Sequence, residues 1–313
     1  MLDKQNGVIG KYKGSTSGPL LIITAGMHGN EPAGVRALEL LFKMLEVEPI
    51  TNPSFSYKGE IIGILGNTLA FDQNVRYIEQ DINRLWTKNT MDKIHNDELL
   101  NHEEQEIKRI LSIIDAEIEN LKPEKIYMLD LHTTSSAGGI FCIATDNEES
   151  IAIGHDIHAP VVLKLLGDLG GTTLHFFHDT YREIPITSIA FEGGHHENPM
   201  SVNRCIAAVI NIMRSIGTIL PEDVANRHDQ VLLDYSKDLP KTVEVIYKYH
   251  VDDISLWEMI PGFTNFEKIH KDQHLAEYDG SRVVSPFDGY LLMPLYNSLG
   301  EYGFYIVQEV PDM

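Results

Sequence analysis

Residues 20–25, LLIITA, form a short uninterrupted apolar run ending at glycine, the pattern of a parallel strand buried on both faces. The period then changes. Pro32 suits a first helical position, and Val35, Leu38, Leu41, Phe42 and Leu45 recur at three-to-four spacing, which predicts an amphipathic helix over about 32–46. EIIGIL (60–65) reads as the next strand, and Ile107, Ile110, Leu111, Ile114, Ile118 and Leu121 mark a helix over about 103–121. KIYMLDL (125–131) is a strand ending at His132, GIFCIA (139–144) another, APVVLKLLGDL (159–169) a helix, and ITSIAFE (186–192) a strand that breaks at Gly193-Gly194. SVNRCIAAVINIMRSIGTIL (201–220) has the clearest helical period in the chain.

Strands alternating with helices predict an α/β fold, a mostly parallel, mixed sheet with helices on both faces and its sites at the carboxyl ends of the strands. After Pro221 the pattern shifts to short β-like pieces, KTVEVIYKYHV, SRVVSPFDGYLLMPLY and GFYIVQEV, separated by Gly, Pro, Asn and Asp turn residues. The expected organisation is a catalytic domain over 1–225 and a smaller β-rich domain over 226–313. PEDVANRHDQVLLDYSKDLP, between them, reads as a linker or a short helix.

Composition narrows the function. With 43% hydrophobic and 23% charged residues over 313 positions, the chain can bury a sizeable core and shows no disordered bias. A net charge of -21 opposes nucleic acid and anionic membrane surfaces, leaving small molecules as the expected partners and room for a homo-oligomer. The two cysteines, Cys142 and Cys205, sit among apolar neighbours, as packed thiols do in a reducing compartment. Neither an apolar signal-peptide core nor a run of about 18 apolar residues occurs, so a cytoplasmic location is expected.

Candidate chemistry lies at strand ends. His28 and Glu31 follow the first strand, His132 follows YMLDL, and Glu192 closes SIAFE. Catalytic zinc takes three protein ligands and keeps one position for water, and two histidines with one glutamate are a recurrent set. His28, Glu31 and His132 could supply it, with Gly26 and Gly29 allowing the sharp bend. A lone His-x-x-Glu reads more readily as a capped turn whose Glu31 favours a helix amino terminus, and it is His132 that tips the reading toward a metal. The pairs His155/His158, His175/His178 and His195/His196 lack a matching carboxylate on a strand end and read as turn or solvated histidines. Glu192, held by a strand and desolvated, is the candidate general base; Glu197, past two glycines, reads as a surface turn residue. Arg76, Asn83 and Arg84 lie in NVRYIEQDINRLW, which alone reads as a mixed-charge loop paired to Glu79 and Asp81. Arg182 lies shortly ahead of the strand ending in Glu192, and arginine is the residue suited to a carboxylate.

Four segments, GMHGNEPAG, VRYIEQDINRLW, DLHTT and YREIPITSIAFEGG, resemble in order and spacing the succinylglutamate desuccinylase/aspartoacylase family, itself similar to the zinc carboxypeptidases, over most of residues 20–200. That family hydrolyses N-acyl amino acids. The resemblance implies one zinc ion per chain held by His28, Glu31 and His132, with Glu192 as the base acting on water. It further implies that Arg76 stabilises the oxyanion, that Asn83 and Arg84 bind a substrate carboxylate, that Arg182 binds a second acidic group, and that Tyr302 contacts substrate beneath a carboxyl-terminal β domain leaning over the site. Where aspartoacylase carries a lysine near this tyrosine, EYGFYIVQEV has no basic residue, which weighs against N-acetylaspartate. A peptide-cleaving zinc carboxypeptidase and a non-catalytic binder of an acidic metabolite are the competing functions.

Overall fold

The computed structural model describes residues 6–167, 170–297 and 299–311. The elements of the first half are β1 (Val8–Lys13), β2 (Thr16–Ala25), α1 (Pro32–Thr51), β3 (Lys58–Leu65), α2 (Thr68–Gln73), α3 (Lys88–His95), α4 (His102–Leu121), β4 (Ile126–Thr134), β5 (Phe141–Ala144) and α5 (Glu148–Asp156). They continue with β6 (Val161–Leu163), α6 (Thr173–Phe176), β7 (Thr180–Tyr181), β8 (Ile184–His195), α7 (Met200–Ser215) and α8 (Asp229–Ser236). The rest is β: β9 (Thr242–His250), β10 (Trp257–Met259), β11 (Lys268–Ile269), β12 (His274–Tyr278), β13 (Ser281–Val284), β14 (Gly289–Leu292) and β15 (Tyr302–Glu309).

Among the described residues one mixed sheet runs in the order β1-β3-β2-β4-β8-β5-β6-β9-β15-β14-β11, with β7 paired to β8. Its centre, β3, β2, β4 and β8, is parallel. Alternation along β2 explains why its sequence is apolar without interruption. Leu21 and Ile23 join a core with Val35, Leu38 and Leu41 of α1 and Ile206 and Val209 of α7. Leu20 and Ile22 face the opposite way, onto Ile107, Ile110 and Ile114 of α4. Each such side chain contributes roughly 1.5–3 kcal/mol when taken fully out of water, so both faces of the central strands must be covered. Asn101 and Glu104 form a reciprocal capping box that starts α4.

Three expectations need correction. The segment 159–169 is not a helix: Val161–Leu163 forms β6, slotted parallel to both β5 and β9. Paired β-branched valines buried between two strands outweigh the weak helical period, and Lys164, at φ +62°, turns the chain out of the strand. Asp168 and Leu169 lie outside the described residues. Strand β8 does not break at Gly193-Gly194 but continues to His195, which pairs with Thr134. Helix α7 stops at Ser215 rather than 220.

Carboxyl-terminal strands β9, β15, β14 and β11 extend the main sheet through the β6–β9 pair, while β10, β12 and β13 form a separate antiparallel sheet. The 225/226 division lies between α7 and α8, and α8 occupies part of the segment read as linker or short helix. Both cysteines are buried free thiols. No helix among the described residues is long and apolar enough to cross a membrane.

The turn after β2 depends on two glycines for different reasons. Gly26 sits at φ +68°, whereas a Cβ on Gly29 would stand 2.1 Å from the Ala70 carbonyl carbon of α2. Gly29→Ala therefore forces the turn away from α2, at a cost of about 1–3 kcal/mol. We expect a melting temperature several degrees lower in calorimetry; an unchanged transition would show that the two backbones are not in close contact.

Candidate active site

The carboxyl ends of β2, β4 and β8 lie side by side, Ala25 opposite Leu131 and His132 opposite Glu192. Onto this edge the turn after β2 delivers His28 and Glu31. Glu31 occupies the cap position of α1, yet its side chain makes no capping hydrogen bond. It instead accepts from the Thr133 backbone N–H at 2.9 Å and lies 2.8 Å from His28 Nδ1 and 3.0 Å from His132 Nδ1. One ligand atom each from His28, Glu31 and His132 falls within 4.8 Å of the others, and all three side chains are buried.

The far nitrogens of both rings meet carboxylates. His28 Nε2 lies 3.1 Å from Asp81 Oδ1, and His132 Nε2 lies 3.0 Å from Asp130 Oδ2. A carboxylate can only accept, so each Nδ1 reaches Glu31 as an N–H donor; a metal held there would replace that proton and take the Nδ1 lone pair. This donor set fits a divalent metal: two imidazole nitrogens and a carboxylate oxygen converge, and Glu192, 5% exposed, adds a carboxylate whose Oε2 is buried with no hydrogen-bond partner.

Electrostatics separate the carboxyl groups. Burial alone would raise Glu31, but the charges of His28 and His132 outweigh it and hold this carboxyl well below its usual range. Glu192, buried to a similar degree, is pushed up to about 7: burial dominates, Glu31 adds to it, and His132, His28 and Arg76 oppose it. For Asp81, burial is outweighed by His28 and Arg76, which hold it far below the ordinary aspartate value.

Arg76 gives two hydrogen bonds to Asp81 Oδ2, from Nε at 3.2 Å and Nη2 at 2.8 Å, and its Nη1 stands 3.9 Å from Glu31 Oε1. The loop carrying Arg76 and Asp81 is gathered by Glu103 of α4, whose buried carboxylate accepts the backbone N–H groups of Ile78, Glu79 and Gln80. Arg84 and Tyr302 join His28, Glu31, Arg76, His132 and Glu192 around one cavity of about 130 Å³. Met293, Leu295 and Leu299 form its carboxyl-terminal wall.

Two residues are not where the sequence put them. Asn83 stands behind His132, off the cavity wall, with Nδ2 3.3 Å from the ring's Nε2 and Oδ1 accepting from Thr173. Arg182 precedes the amino end of β8, and from Ile184 at that end eight residues and roughly 26 Å of strand run to Glu192. It is 61% exposed, lies over Tyr181, and spends its fork on Asp115 of α4. Proximity in sequence to Glu192 misleads because the strand runs away from it.

Conversely, Asp81, Asp130, Thr133 and His196 belong to the site without having been singled out as parts of it. Asp130 carried a signal, since residues two apart on a strand share a face and Asp-Leu-His sets a carboxylate beside the ligand. His196 lines the cavity and shares a 2.7 Å hydrogen bond with Thr133 Oγ1. His158, by contrast, pairs with Asp229, and His178 with its neighbour Asp179. Glu197 is exposed, as expected of a turn residue.

Residues 17–216 match the model of the succinylglutamate desuccinylase/aspartoacylase catalytic domain. A probable aspartoacylase of Nostoc sp. is 35% identical over 143 residues, covering 46% of this chain and 41% of that protein. Succinylglutamate desuccinylase of Pseudomonas aeruginosa is 25% identical over 280 residues, 85% of this chain and 79% of the relative. The X-ray structure of the succinylglutamate desuccinylase from Vibrio parahaemolyticus is similar in fold, with a TM-score of 0.64 at 16% identity over 94% of this chain and 82% of that one.

Replacing Asp130 by asparagine keeps its shape while removing the charge that orients His132. Outer partners of this kind are worth roughly 10–100-fold in metal affinity, so competitive chelator titration should show a loss of that size in Asp130→Asn. Affinity equal to wild type would remove Asp130 from the site's function.

Proposed function

The chain belongs to the succinylglutamate desuccinylase/aspartoacylase family of deacylases, and on that premise we propose that it is a zinc-dependent hydrolase of the amide bond of an N-acyl amino acid, releasing a carboxylate and the free amino acid. The observation that carries this reading is the register of β4 and β8, which sets the unpartnered carboxyl of Glu192 beside the three convergent donors. His28 Nδ1, Glu31 and His132 Nδ1 would hold the ion. With zinc held by these residues, the site would gain a Lewis acid able to lower the pKa of water to about 7 and to polarise the amide carbonyl.

The remaining work falls to side chains. Glu192, raised to about 7, is suited both to accept the proton of the attacking water and to return it to the departing amine nitrogen. Arg76 is fixed through Nε and Nη2, so its Nη1 hydrogens are available to the oxygen that becomes negative during attack. Arg84 is the cavity residue suited to a substrate carboxylate, and Tyr302 forms part of the opposite wall.

Cavity size supports this reading over a peptidase. Sites for drug-sized ligands occupy roughly 300–1,000 Å³, whereas about 130 Å³ walled by Met293, Leu295, Leu299 and Tyr302 suits a short acyl group on one amino acid.

Glu192→Gln should keep one zinc per chain by elemental analysis while turnover falls roughly 10²–10⁴-fold, because proton transfer is lost and coordination is not. Arg76→Met should lower kcat about 100-fold at unchanged metal content. The reading itself is tested by incubating zinc-loaded protein with acetyl-, succinyl- and longer acyl-amino acids and measuring free amine. No amine from any of them would sink it.

A further inference from the structure

Two guanidinium groups line the cavity, and both are partly spent. Arg76 is tied to Asp81. Arg84 donates from Nε to Glu301 Oε2 at 3.1 Å and from Nη1 to the Asn83 carbonyl at 2.8 Å, leaving Nη2 and one Nη1 hydrogen for a ligand. Glu301 precedes β15, is 57% exposed, and lines the same cavity next to Tyr302. No lysine lines that cavity among the described residues. Arg182 is occupied by Asp115 at the other end of β8. With the free Nη1 hydrogens of Arg76 assigned to the oxyanion, Arg84 is the lining cation left for a substrate carboxylate, and Glu301 stands beside it.

We propose that the site takes N-acyl amino acids whose only carboxylate is the α-carboxylate, and that Glu301 is the specificity-determining residue that rejects a second one. The proposal rests on the acylase reading above. The α-carboxylate meets the free edge of Arg84 in two charge-assisted hydrogen bonds. A second carboxylate, on an aspartate- or glutamate-like side chain or a succinyl arm, comes up against Glu301 within a wall that offers no further cation, and like charges brought together there oppose binding. The net charge of -21 adds a field of the same sign. Outside the lining, Lys248 stands over the Tyr302 ring with Nζ 5.5 Å from its centroid, and Arg36 lines a neighbouring polar cleft that shares Asn30, Ser135 and His196 with the cavity.

The test uses substrates matched in shape and differing in charge: N-acetylasparagine against N-acetylaspartate, and N-acetylglutamine against N-acetylglutamate. Two quantities are read, kcat/KM of the zinc-loaded enzyme and calorimetric affinity of its Glu192→Gln variant. The amide member should be favoured about tenfold or more in both, and added salt should narrow the gap. Glu301→Gln, at an exposed position whose loss leaves no buried charge, should cut that preference about tenfold by improving the acids, with its circular dichroism unchanged. Preference for the acids in the unaltered chain, a preference unchanged in Glu301→Gln, or binding of neither member would each overturn the proposal. Absence of amine release from every substrate would instead overturn the acylase reading, while the binding ratio still decides the charge preference.

Discussion

A single carboxylate joins the parts of this site. Glu31 reaches from the first residue before α1 to the backbone of Thr133 and to the Nδ1 faces of two imidazoles. A carboxylate removed from water is tolerated only with compensating charge and hydrogen bonds. The geometry that supplies them fixes the turn after β2 against the end of β4. Asp81 and Asp130 repeat the device one step outward, each holding the far nitrogen of one ring. Glu103 anchors the loop from which Asp81 and Arg76 project.

With burial alike, neighbouring groups set the two acids apart. Glu31 and Glu192 are both almost inaccessible, yet one is held well below the carboxylate range and the other is raised to about 7. The difference follows from contact. Glu31 bonds both imidazoles directly, whereas Glu192 lies across from His132 with an oxygen left unpaired. Environments that push two carboxyl groups apart in this way assign them different roles in one reaction, a ligand that stays charged and an acid-base group that exchanges a proton. Arginine follows the same rule: Arg76 and Arg84 act in the cavity only with the hydrogens that Asp81 and Glu301 leave free.

Much of the framework was legible because its physical cause is local. The apolar run at 20–25, the three-to-four spacing after Pro32 and the period of 107–121 each state which faces need burying, and β2, α1 and α4 appear there. The period of 159–169 does not reveal a strand, since Val161 and Val162 become one only when β5 and β9 flank them. Gly193 and Gly194 resembled a strand end, yet pairing with β4 carries β8 past them. Among site residues, His28, Glu31, His132 and Glu192 announced themselves by ending strands, and Asp130 by standing two places before a ligand. Asp81 carried no comparable signal, because its role depends on a loop folded back by Glu103.

What the sequence determined by itself was the set of strands with chemistry at their carboxyl ends and the family to which the chain belongs, since period, turn residues and motif spacing are properties of neighbours along the chain. Tertiary structure alone decided which charges meet. It placed Arg182 on Asp115 at the far end of β8, put Asn83 behind a ring instead of before a substrate, and brought Glu301 to Arg84 across 217 positions of sequence. Ion pairs form between groups that packing brings within a few ångströms, and the order of residues along a strand does not state which of its two ends that will be.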